Sequence, residues 1–241
     1  MARRRFFIDE VRNGEAIIEG ENAHHLTRVL RVEAGQKYEI TDTRRVWLAE
    51  VKTARKSVVE FAVIEELEAN RELPAATLYL ALIKFERFEW AVEKATELAV
   101  ARIVPVEASR SERGLAEGAR KRVERWRRIA REAGEQSRRL KPPEIDDPVR
   151  FAEMLALDAP DRYWLDERPG AKPLIEVLPR NAPAAFAIGP EGGWSDAERQ
   201  AFEKANWTPA SLGPAVLRAE TAAAAVLAVW LQSAVRGGPL A

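Results

Sequence analysis

The 241-residue chain contains no cysteine and only two histidines, His24 and His25. Without cysteine there can be no disulfide, no thiolate metal site and no cysteine nucleophile. Two adjacent histidines cannot build a histidine-rich metal centre, so we expect no metal. No apolar run approaches the roughly 18 residues of a membrane span, and no signal-peptide-like apolar segment follows the charged N-terminus. These absences predict a cytoplasmic protein that works without a membrane, a metal or redox chemistry.

The charges of the chain balance overall but are unevenly distributed. Lysine plus arginine and aspartate plus glutamate each total 38, and the 46% of hydrophobic residues is typical of a globular protein. Residues 110–141 carry an excess of cations, mostly arginine, whereas the residues from Pro142 onward carry an excess of anions. The basic segment predicts either a contact with a polyanion or a solvated helix with ion pairs at i,i+4, such as Glu124 with Arg128.

The first part of the chain, residues 1–70, has the pattern of a small β domain. Alternating or β-branched runs between turn residues predict strands at residues 5–9, 16–18, 37–41, 46–51 and 58–64. One helix is predicted over residues 23–30, with Asn22 as its N-cap. Its Leu26, Val29 and Leu30 are expected to face the core. The simplest interpretation is a barrel-like β domain.

The remainder, residues 71–241, alternates between strand-like and helix-like segments. Residues 77–83 form a continuous apolar run of the kind that is buried on both faces of a sheet, and residues 119–138 are predicted to form one long basic helix. Further strands are predicted at residues 102–106, 163–165, 184–188 and 210–212. This alternation predicts an α/β domain with a mostly parallel sheet and helices on both faces. In such sheets, ligands bind beyond the carboxyl ends of the strands.

Two rigid glycine-proline turns are candidates for the walls of one ligand site. The first, residues 189–193, leaves the strand at 184–188, and Ser195 with Glu198 has the spacing of a capping box that begins a helix at Asp196. Its glycines let a ligand approach the backbone closely. The segment matches neither GxGxxG nor a P-loop, which argues against a standard dinucleotide or triphosphate site. A purely structural turn is the alternative.

The second turn lies within residues 212–222 and brings one arginine to the start of an apolar helix. Arg218 is the best functional candidate there, and its alternative role is a structural cation paired with Glu220 or Asp166. Glu220 is either an acid or base group or a carboxylate favoured by the helix dipole. Asp166 and Glu167 follow the strand at 163–165. They either contact a ligand hydroxyl or amine or lie in a solvated loop.

A group of arginines is a candidate phosphate-binding surface: Arg3, Arg4, Arg5, Arg28 and Arg31. Arginine suits this role because its planar guanidinium donates two hydrogen bonds to a phosphate at once. His24 falls on the same face of the predicted helix as Arg28 and Arg31. The alternative is ordinary surface charge for the arginines and simple packing for the histidines.

Six segments occur in an order known from one protein family: residues 6–9, 24–31, 94–98, 135–137, 188–193 and 212–222. In these segments the chain resembles the bacterial 16S ribosomal RNA uracil-N3 methyltransferases, which belong to the SPOUT class. The resemblance covers nearly the whole chain, and its last two motifs together are quite specific. It implies an N-terminal PUA-like β-barrel, a C-terminal α/β domain with a deep trefoil knot, and a homodimer. It also implies S-adenosyl-L-methionine as the cofactor and the 16S rRNA of the small ribosomal subunit as the partner.

The resemblance also implies roles for individual residues. Those implied to bind S-adenosyl-L-methionine are Leu165, Asp166, Glu167, Ile188, Gly189, Pro190, Glu191, Gly192, Gly193, Leu212, Gly213, Val216, Leu217, Arg218, Thr221 and Ala222. The implied catalytic residues are Arg218 and Glu220, with Arg218 beside the methyl group and able to stabilise an enolate-like oxygen of the uracil. RNA contacts are expected from the arginines named above, from His24, and from Arg138 and Arg139.

The chain departs from the family pattern at four places. Ala215 stands where an arginine is common, Ala219 where a threonine is common, and Ala99 where a glycine is common, and Lys84-Phe85-Glu86 replaces Lys-Gly-Asp. The first two changes concern a phosphate contact and a hydroxyl near the cofactor, and the others concern turn geometry.

Two other functions are possible: a SPOUT methyltransferase that acts on ribose 2′-OH or on tRNA, and a non-catalytic ribosome-assembly factor.

Overall fold

The computed structural model describes residues 4–69, 72–168 and 170–235, so the predicted RNA contact Arg3 lies outside the described residues. The chain divides into two compact units. The first comprises residues 1–71 together with 134–142, and the second comprises residues 72–133 and 143–241. The sequence-based boundary near residue 70 did not include residues 134–142 in the first unit.

The first unit is a five-stranded sheet with one helix. Its elements are β1 (Arg5–Phe7), β2 (Glu15–Glu19), α1 (Gly20–Arg28), β3 (Lys37–Thr41), β4 (Val46–Arg55) and β5 (Val58–Leu67). The strand order is β1-β3-β4-β5-β2, with β1 and β3 parallel and the other pairs antiparallel. Phe6, Ile40 and Phe61 are fully buried in its core. Every observed strand overlaps a predicted one.

The beginning of α1 differs from its prediction. Gly20 has a φ of 65° and turns the chain directly out of β2 into the helix, and its N–H donates to the Ser57 carbonyl at 3.1 Å. Glycine adopts this left-handed conformation at no steric cost. The helix therefore begins three residues earlier than predicted. Asn22 is not the N-cap, and Glu19 occupies that position without a side-chain hydrogen bond.

The end of α1 determines which of its side chains reach solvent. Leu26 is buried as predicted, but the helix ends at Arg28, and Val29 follows as an exposed C-cap residue with 64% of its surface accessible. The prediction that Val29 faces the core was wrong. Arg28 and Arg31 are both exposed, and His24 is half-buried.

Arg5 is buried and holds residues 134–142 against the sheet of the first unit. Its Nε donates to Glu39 Oε2 at 2.9 Å, its Nη2 lies 2.8 Å from the same oxygen, and its Nη1 donates to the Arg138 carbonyl at 2.7 Å. Arg138 completes the cluster by donating from Nη1 to Glu39 Oε1 at 3.3 Å. The expectation that Arg5 contacts RNA was therefore wrong, because a buried guanidinium needs these partners to offset the loss of water.

The other two arginines of this region are also partly withdrawn from solvent. Arg4 and Arg139 are half-buried. Burial lowers the pKa of Arg139 to about 10, which still leaves the guanidinium protonated at neutral pH. Among the arginines expected to contact RNA, Arg28 and Arg31 in α1 and the following turn, and Arg138, are the exposed ones within the described residues.

The second unit is an eight-stranded sheet covered by helices. Its strands are β6 (Ala76–Ala81), β7 (Arg102–Glu107), β8 (Glu144–Ile145), β9 (Val149–Arg150), β10 (Asp161–Leu165), β11 (Lys172–Pro173), β12 (Ala184–Ile188) and β13 (Thr208–Ser211). Its helices are α2 (Phe85–Glu97), α3 (Leu115–Arg120), α4 (Val123–Gln136, ending in the first unit), α5 (Phe151–Ala156), α6 (Leu174–Val177), α7 (Asp196–Lys204) and α8 (Ala219–Val235).

The strand pairs described for this sheet are all parallel, as predicted. The order is β11-β13-β10-β12-β6-β7-β8, and β9 also pairs with β7. Successive residues of β6 alternate between two cores. Leu78 and Leu80 pack in the core that contains Phe88 of α2, whereas Tyr79 packs in the core that contains Phe202 of α7. Helices therefore cover both faces of the sheet. Within the described residues, no helix is long and apolar enough to cross a membrane.

The long basic helix predicted over residues 119–138 is in fact two helices. The chain turns between α3 and α4, where the Arg122 N–H donates to the Ala119 carbonyl at 2.8 Å. The prediction missed this break because neither glycine nor proline marks it.

Several arginines of the basic segment form ion pairs. Arg122 and Arg125 both bind Glu89 of α2, at 3.2 and 2.7 Å, and Arg127 binds Glu124 at 2.5 Å. These contacts, together with the i,i+4 pair of Glu117 and Lys121 at 3.4 Å, support the ion-paired interpretation of the segment, although Glu124 pairs with Arg127 and not with Arg128.

Ala99 occupies the glycine position of a helix-ending turn. It follows the C-cap of α2 with a φ of 65°. The Val100 N–H donates to the Ala95 carbonyl and the Ala99 N–H to the Thr96 carbonyl, both at 3.1 Å. This pair of bonds is the Schellman motif, whose left-handed residue is usually glycine. The departure from the family glycine therefore places a strained alanine at the left-handed position of this turn.

Candidate active site

Three neighbouring strands of the second unit, β13, β10 and β12, end at the same edge of the sheet and open onto one cavity of about 330 Å³. The cavity is lined by residues 165–167, 188–194, 211–213, 215–219 and 222. The first three stretches begin at the last residues of β10, β12 and β13, respectively, and the remaining lining residues lie in the segment after β13 and in the first turn of α8. The two glycine-proline turns are thus brought together as walls of one site, at the edge where parallel sheets bind ligands.

The first wall is shaped by the packing of Gly189 on Trp194. A Cβ at Gly189 would lie 3.2 Å from the Trp194 indole ring, so a larger residue would have to displace that buried side chain. Gly193 closes the turn with a φ of 64°, and its N–H donates to the Pro190 carbonyl at 2.8 Å. Glycine is therefore required at position 189 because Trp194 packs directly against the backbone, and at position 193 because the backbone is left-handed.

The helix that follows this wall begins with the predicted capping box. Ser195 Oγ accepts from the Glu198 N–H at 3.3 Å, and Glu198 Oε2 accepts from the Ser195 N–H at 2.8 Å. Glu198 is buried and also accepts from the backbone and hydroxyl groups of Ser109, both at 2.8 Å. Burial would raise the pKa of Glu198, but these hydrogen bonds outweigh it and lower the pKa below its ordinary value.

Arg199, in the first turns of α7, binds groups of two cavity walls without lining the cavity itself. Its side chain is only 6% exposed. It donates to the Trp194 carbonyl, to Asp166 Oδ1 at 3.2 Å and to Glu167 Oε1 at 3.0 Å. The segment after β10 and the turn after β12 are therefore held by one buried guanidinium.

The second wall, residues 212–218, is open to solvent. Gly213 has a φ of 121°, and its N–H donates to Ser211 Oγ at 3.1 Å. Val216 is 81% exposed, although it is large and apolar. Arg218 is exposed at the start of α8, where its carbonyl accepts from the Ala222 N–H at 2.8 Å. Among the described residues, its side chain has neither a hydrogen bond nor an ion pair.

The two walls are also linked from the side by Arg87 of α2. Its Nη1 donates to Glu191 Oε1 at 3.1 Å, and its Nε lies 3.8 Å from Glu220 Oε1. Glu220 is buried, and its Oε2 has no hydrogen-bond partner within the described part of the chain. The structural pairing that the sequence offered for Arg218, with Glu220 or Asp166, is therefore wrong, because Arg87 and Arg199 take these carboxylates.

The sequence of the second unit matches an established family. Residues 71–231 match the family model of the RNA methyltransferase domain, and residues 18–62 match that of the RNA methyltransferase PUA domain. The ribosomal RNA small subunit methyltransferase E of Bacillus subtilis is 33% identical over 219 residues, which cover 85% of each chain. The chain belongs to this methyltransferase family.

Solved structures of methyltransferases share the fold. One from Legionella pneumophila, solved with bound S-adenosylmethionine, is 30% identical and superposes with a TM-score of 0.87 over 97% of this chain and 98% of its own. The ribosomal RNA small subunit methyltransferase E of Neisseria gonorrhoeae, also bound to S-adenosylmethionine, is 25% identical with a TM-score of 0.86, over 96% of this chain and 98% of its own. These likenesses confirm the predicted fold class.

In this methyltransferase, the cavity collects the residues that the sequence implied for the cofactor, with the exception of Thr221, which lies exposed on α8. Glu220, one of the two implied catalytic residues, does not line the cavity either. Four lining residues were missed: Trp194, Ser211, Ala215 and Ala219. Each is next to an implied residue, so extending the motifs by one or two positions would have included them.

Arg199 is a buried residue beside the cavity that sequence reasoning did not single out. An arginine in the short amphipathic helix α7 ordinarily reaches solvent with its charged end. Its burial follows from the carboxylates that β10 places beside it, which no local pattern in α7 reveals. Within the described residues, no cluster of three or more histidines, aspartates or glutamates is arranged to hold a metal ion.

Proposed function

We propose that this methyltransferase transfers a methyl group from S-adenosyl-L-methionine to N3 of a uridine in the 16S rRNA of the small ribosomal subunit. The observation that carries the proposal is the cavity at the ends of β13, β10 and β12, with Arg218 in its rim. The names of the relatives support the rRNA substrate, and the solved neighbours with S-adenosylmethionine support the cofactor.

The chemistry of the cavity walls fits S-adenosyl-L-methionine. Ile188, Leu212, Val216 and Leu217 offer apolar surface to an adenine ring, and the large exposed area of Val216 is surface that a ligand would cover. Asp166 and Glu167 offer acceptors to hydroxyl or amine groups. The glycines of residues 189–193 allow backbone groups to approach the ligand closely.

The chain's own part in the reaction is to bind, align and stabilise charge. When bound, the cofactor supplies a methyl group whose bond to sulfur breaks as the bond to N3 forms. N3 of neutral uracil carries a proton, which passes to solvent, and its loss leaves negative charge shared between N3 and the carbonyl oxygens at C2 and C4. Arg218 stabilises this charge once the RNA covers the rim and excludes water. Holding the reactants in line removes roughly 7–11 kcal/mol of the barrier.

Glu220 has a supporting role in this scheme. It is buried beside Arg87 and does not line the cavity, so it cannot touch the uracil without rearrangement. At the first turn of α8 its charge is favoured by the helix dipole. We therefore assign catalysis to Arg218, and we assign to Glu220 the anchoring of Arg87 between the two walls.

The rRNA contacts are proposed for exposed arginines of the first unit, which matches the PUA domain of RNA methyltransferases. Arg28 and Arg31 are exposed near the end of α1, and each can bind a phosphate bidentately. N3 lies on the pairing edge of uracil, so the target uridine has to be unpaired or flipped out of its helix. An RNA substrate of this kind also favours the cytoplasm as the place where the enzyme works.

A homodimer is supported by the surface of α8. One face of this helix packs on the core through residues such as Val226, Leu227 and Trp230. The other face leaves Ala225, Ala228 and neighbouring apolar residues half-exposed, and this is the surface that we propose a second copy covers. Sedimentation equilibrium of the purified protein tests this, with a dimer mass as the expected result and a monomer mass as the contrary one.

The methyl acceptor is tested with purified enzyme and methyl-labelled cofactor. The label should enter unmodified small ribosomal subunits or naked 16S rRNA, and mass spectrometry of nuclease digests should place it on N3 of one uridine. Label on a ribose 2′-oxygen or in tRNA would show a different SPOUT methyltransferase. Absence of cofactor binding in calorimetry would show a non-catalytic RNA-binding protein.

A further inference from the structure

Glu167 occupies a distinctive place in the cavity wall at the carboxyl end of β10. Its Oε1 accepts from Arg199 Nη2 at 3.0 Å, yet 45% of its side chain remains exposed. Gly193 lies directly against it, because a Cβ there would be 3.0 Å from Glu167 Oε1. The carboxylate is thus held in place on two sides while its outer part stays accessible.

The neighbouring carboxylate is used differently. Asp166 is nearly buried, and its Oδ1 accepts from Arg199 and from the Arg168 N–H at 3.3 Å. Glu167 Oε2 has no hydrogen-bond partner within the described residues. An ionised carboxylate offers about four acceptor sites, so Glu167 keeps most of its capacity for a ligand, whereas Asp166 serves the protein.

We propose that Glu167 binds the two vicinal hydroxyls of the ribose of the adenosyl group, and that Arg199 is the residue that positions it. The inference rests on the proposed use of S-adenosyl-L-methionine. A carboxylate after a strand of a parallel sheet is well placed to accept from ribose hydroxyls. A ligand ammonium is the competing partner for this carboxylate, since Arg199 is shared with Asp166 and Asp196, and the deaminated analogue below distinguishes the two.

Arg199 acts through the groups that it holds and does not itself line the cavity. Three of its partners, the Trp194 carbonyl, Asp166 and Glu167, belong to two cavity walls, and its Nη1 also lies 3.8 Å from Asp196 Oδ1. Removing its charge leaves two carboxylates side by side, with only the exposed Arg168 nearby to compensate them. They will then repel each other, and Glu167 will turn away toward solvent.

The test is calorimetric titration of the full-length protein with S-adenosylhomocysteine, its 2′,3′-dideoxy analogue and its deaminated analogue. Glu167→Ala should weaken S-adenosylhomocysteine about tenfold and leave the dideoxy analogue within about twofold, since that analogue has no hydroxyls to lose. Glu203→Ala, on the exposed side of α7, is the control and should change neither affinity.

Arg199→Met should, like Glu167→Ala, lose the preference for S-adenosylhomocysteine over the dideoxy analogue. Arg199→Lys should restore part of this preference. A purely structural role of Arg199 predicts lower thermal stability with unchanged discrimination. That outcome would remove its positioning role. If Arg199→Met does not fold, the test uses Arg199→Lys and Glu167→Ala. If both variants prefer S-adenosylhomocysteine over the dideoxy analogue as strongly as the wild type does, the proposal is overturned.

The outcomes separate the inference from the function on which it rests. A wild-type protein that does not bind S-adenosylhomocysteine defeats the proposed function and the inference together. A wild-type protein that binds it, with Glu167→Ala weakening the natural and dideoxy ligands equally, defeats the inference alone. If the substitution affects every ligand except the deaminated one, Glu167 binds the ammonium group and the ribose assignment is overturned.

Discussion

Arg87 Nη1 donates to Glu191 Oε1 at 3.1 Å, and through this bond the start of α2 is fastened to the turn that follows β12. The same guanidinium lies 3.8 Å from Glu220 at the start of α8. One cation therefore joins the elements that carry the two walls of the cavity. The arrangement explains how an exposed wall such as residues 212–218 is kept close to the other before any ligand binds.

Arg87→Gln is expected to weaken cofactor binding. The substitution removes a half-exposed ion pair worth about 1 kcal/mol or less and leaves Glu220 buried with less compensation. We expect the dissociation constant for S-adenosylhomocysteine to rise about fivefold, measured by calorimetry. Arg125→Gln breaks a comparable pair, that with Glu89, away from the cavity and should leave the affinity unchanged. Equal effects of the two substitutions would exclude a role of Arg87 in holding the walls.

Arg218→Ala should impair the chemical step far more than binding. Arg218 is exposed and carries no ion pair among the described residues, so its removal leaves no partner stranded. We expect kcat for rRNA methylation to fall about 10²- to 10³-fold, while the affinity for S-adenosylhomocysteine changes by less than about threefold. Arg218→Lys keeps the charge but not the planar guanidinium, so its kcat should lie between those of the wild type and Arg218→Ala.

Single-turnover methylation with saturating cofactor and rRNA measures this step. Arg180→Ala, which removes an exposed arginine outside the cavity, is the matched control and should retain full activity. Turnover of Arg218→Ala close to that of the control would assign the charge stabilisation to another group.

The site could be predicted from the sequence where local chemistry determines it. Glycine and proline after a buried apolar strand mark a turn at a sheet edge, and the spacing of Ser195 and Glu198 marks the helix beyond it. Both turns can therefore be located from the amino-acid sequence alone. That they meet follows from β13, β10 and β12 being neighbours, which is a property of the sheet order and not of any single segment.

Buried arginines show what the sequence could not give. Local sequence offers no sign that Arg5 and Arg199 differ from ordinary surface charge, yet each is buried among carboxylates that are distant in sequence: Glu39 for Arg5, and Asp166 with Glu167 for Arg199. Hydrophobic periodicity identifies apolar faces, but it does not identify a cation whose partners come from another strand. The trefoil knot is a further case, since general rules of chain connection argue against knots and only the family resemblance implied one.

Ala99→Gly is expected to stabilise the protein. Ala99 has a φ of 65° in the Schellman turn after α2, where a Cβ is strained and glycine is not. We expect a gain of about 0.5–1 kcal/mol in the free energy of unfolding, measured by denaturant titration. Asn206 has the same position after α7 with a φ of 58°, but asparagine tolerates this conformation, so Asn206→Gly should gain less. A loss of stability in Ala99→Gly would show that packing of the methyl group outweighs the strain.

Glu198 makes the stability of the second unit sensitive to acid. Burial opposes its ionisation, but hydrogen bonds from Ser109 and Ser195 outweigh burial and hold its pKa below 4.5. The folded state therefore binds the proton less tightly than the unfolded chain, so the stabilisation is complete above the unfolded pKa and is lost as the pH falls through the folded pKa.

Glu198→Gln should reduce the free energy of unfolding by about 1–3 kcal/mol at pH 7, and the difference from wild type should shrink below about pH 4. Denaturant titrations between pH 7 and 3 measure it, with Glu203→Gln on the exposed face of α7 as the control. A difference that stays constant over this range would mean that the shape of the side chain, and not its charge, provides the stabilisation.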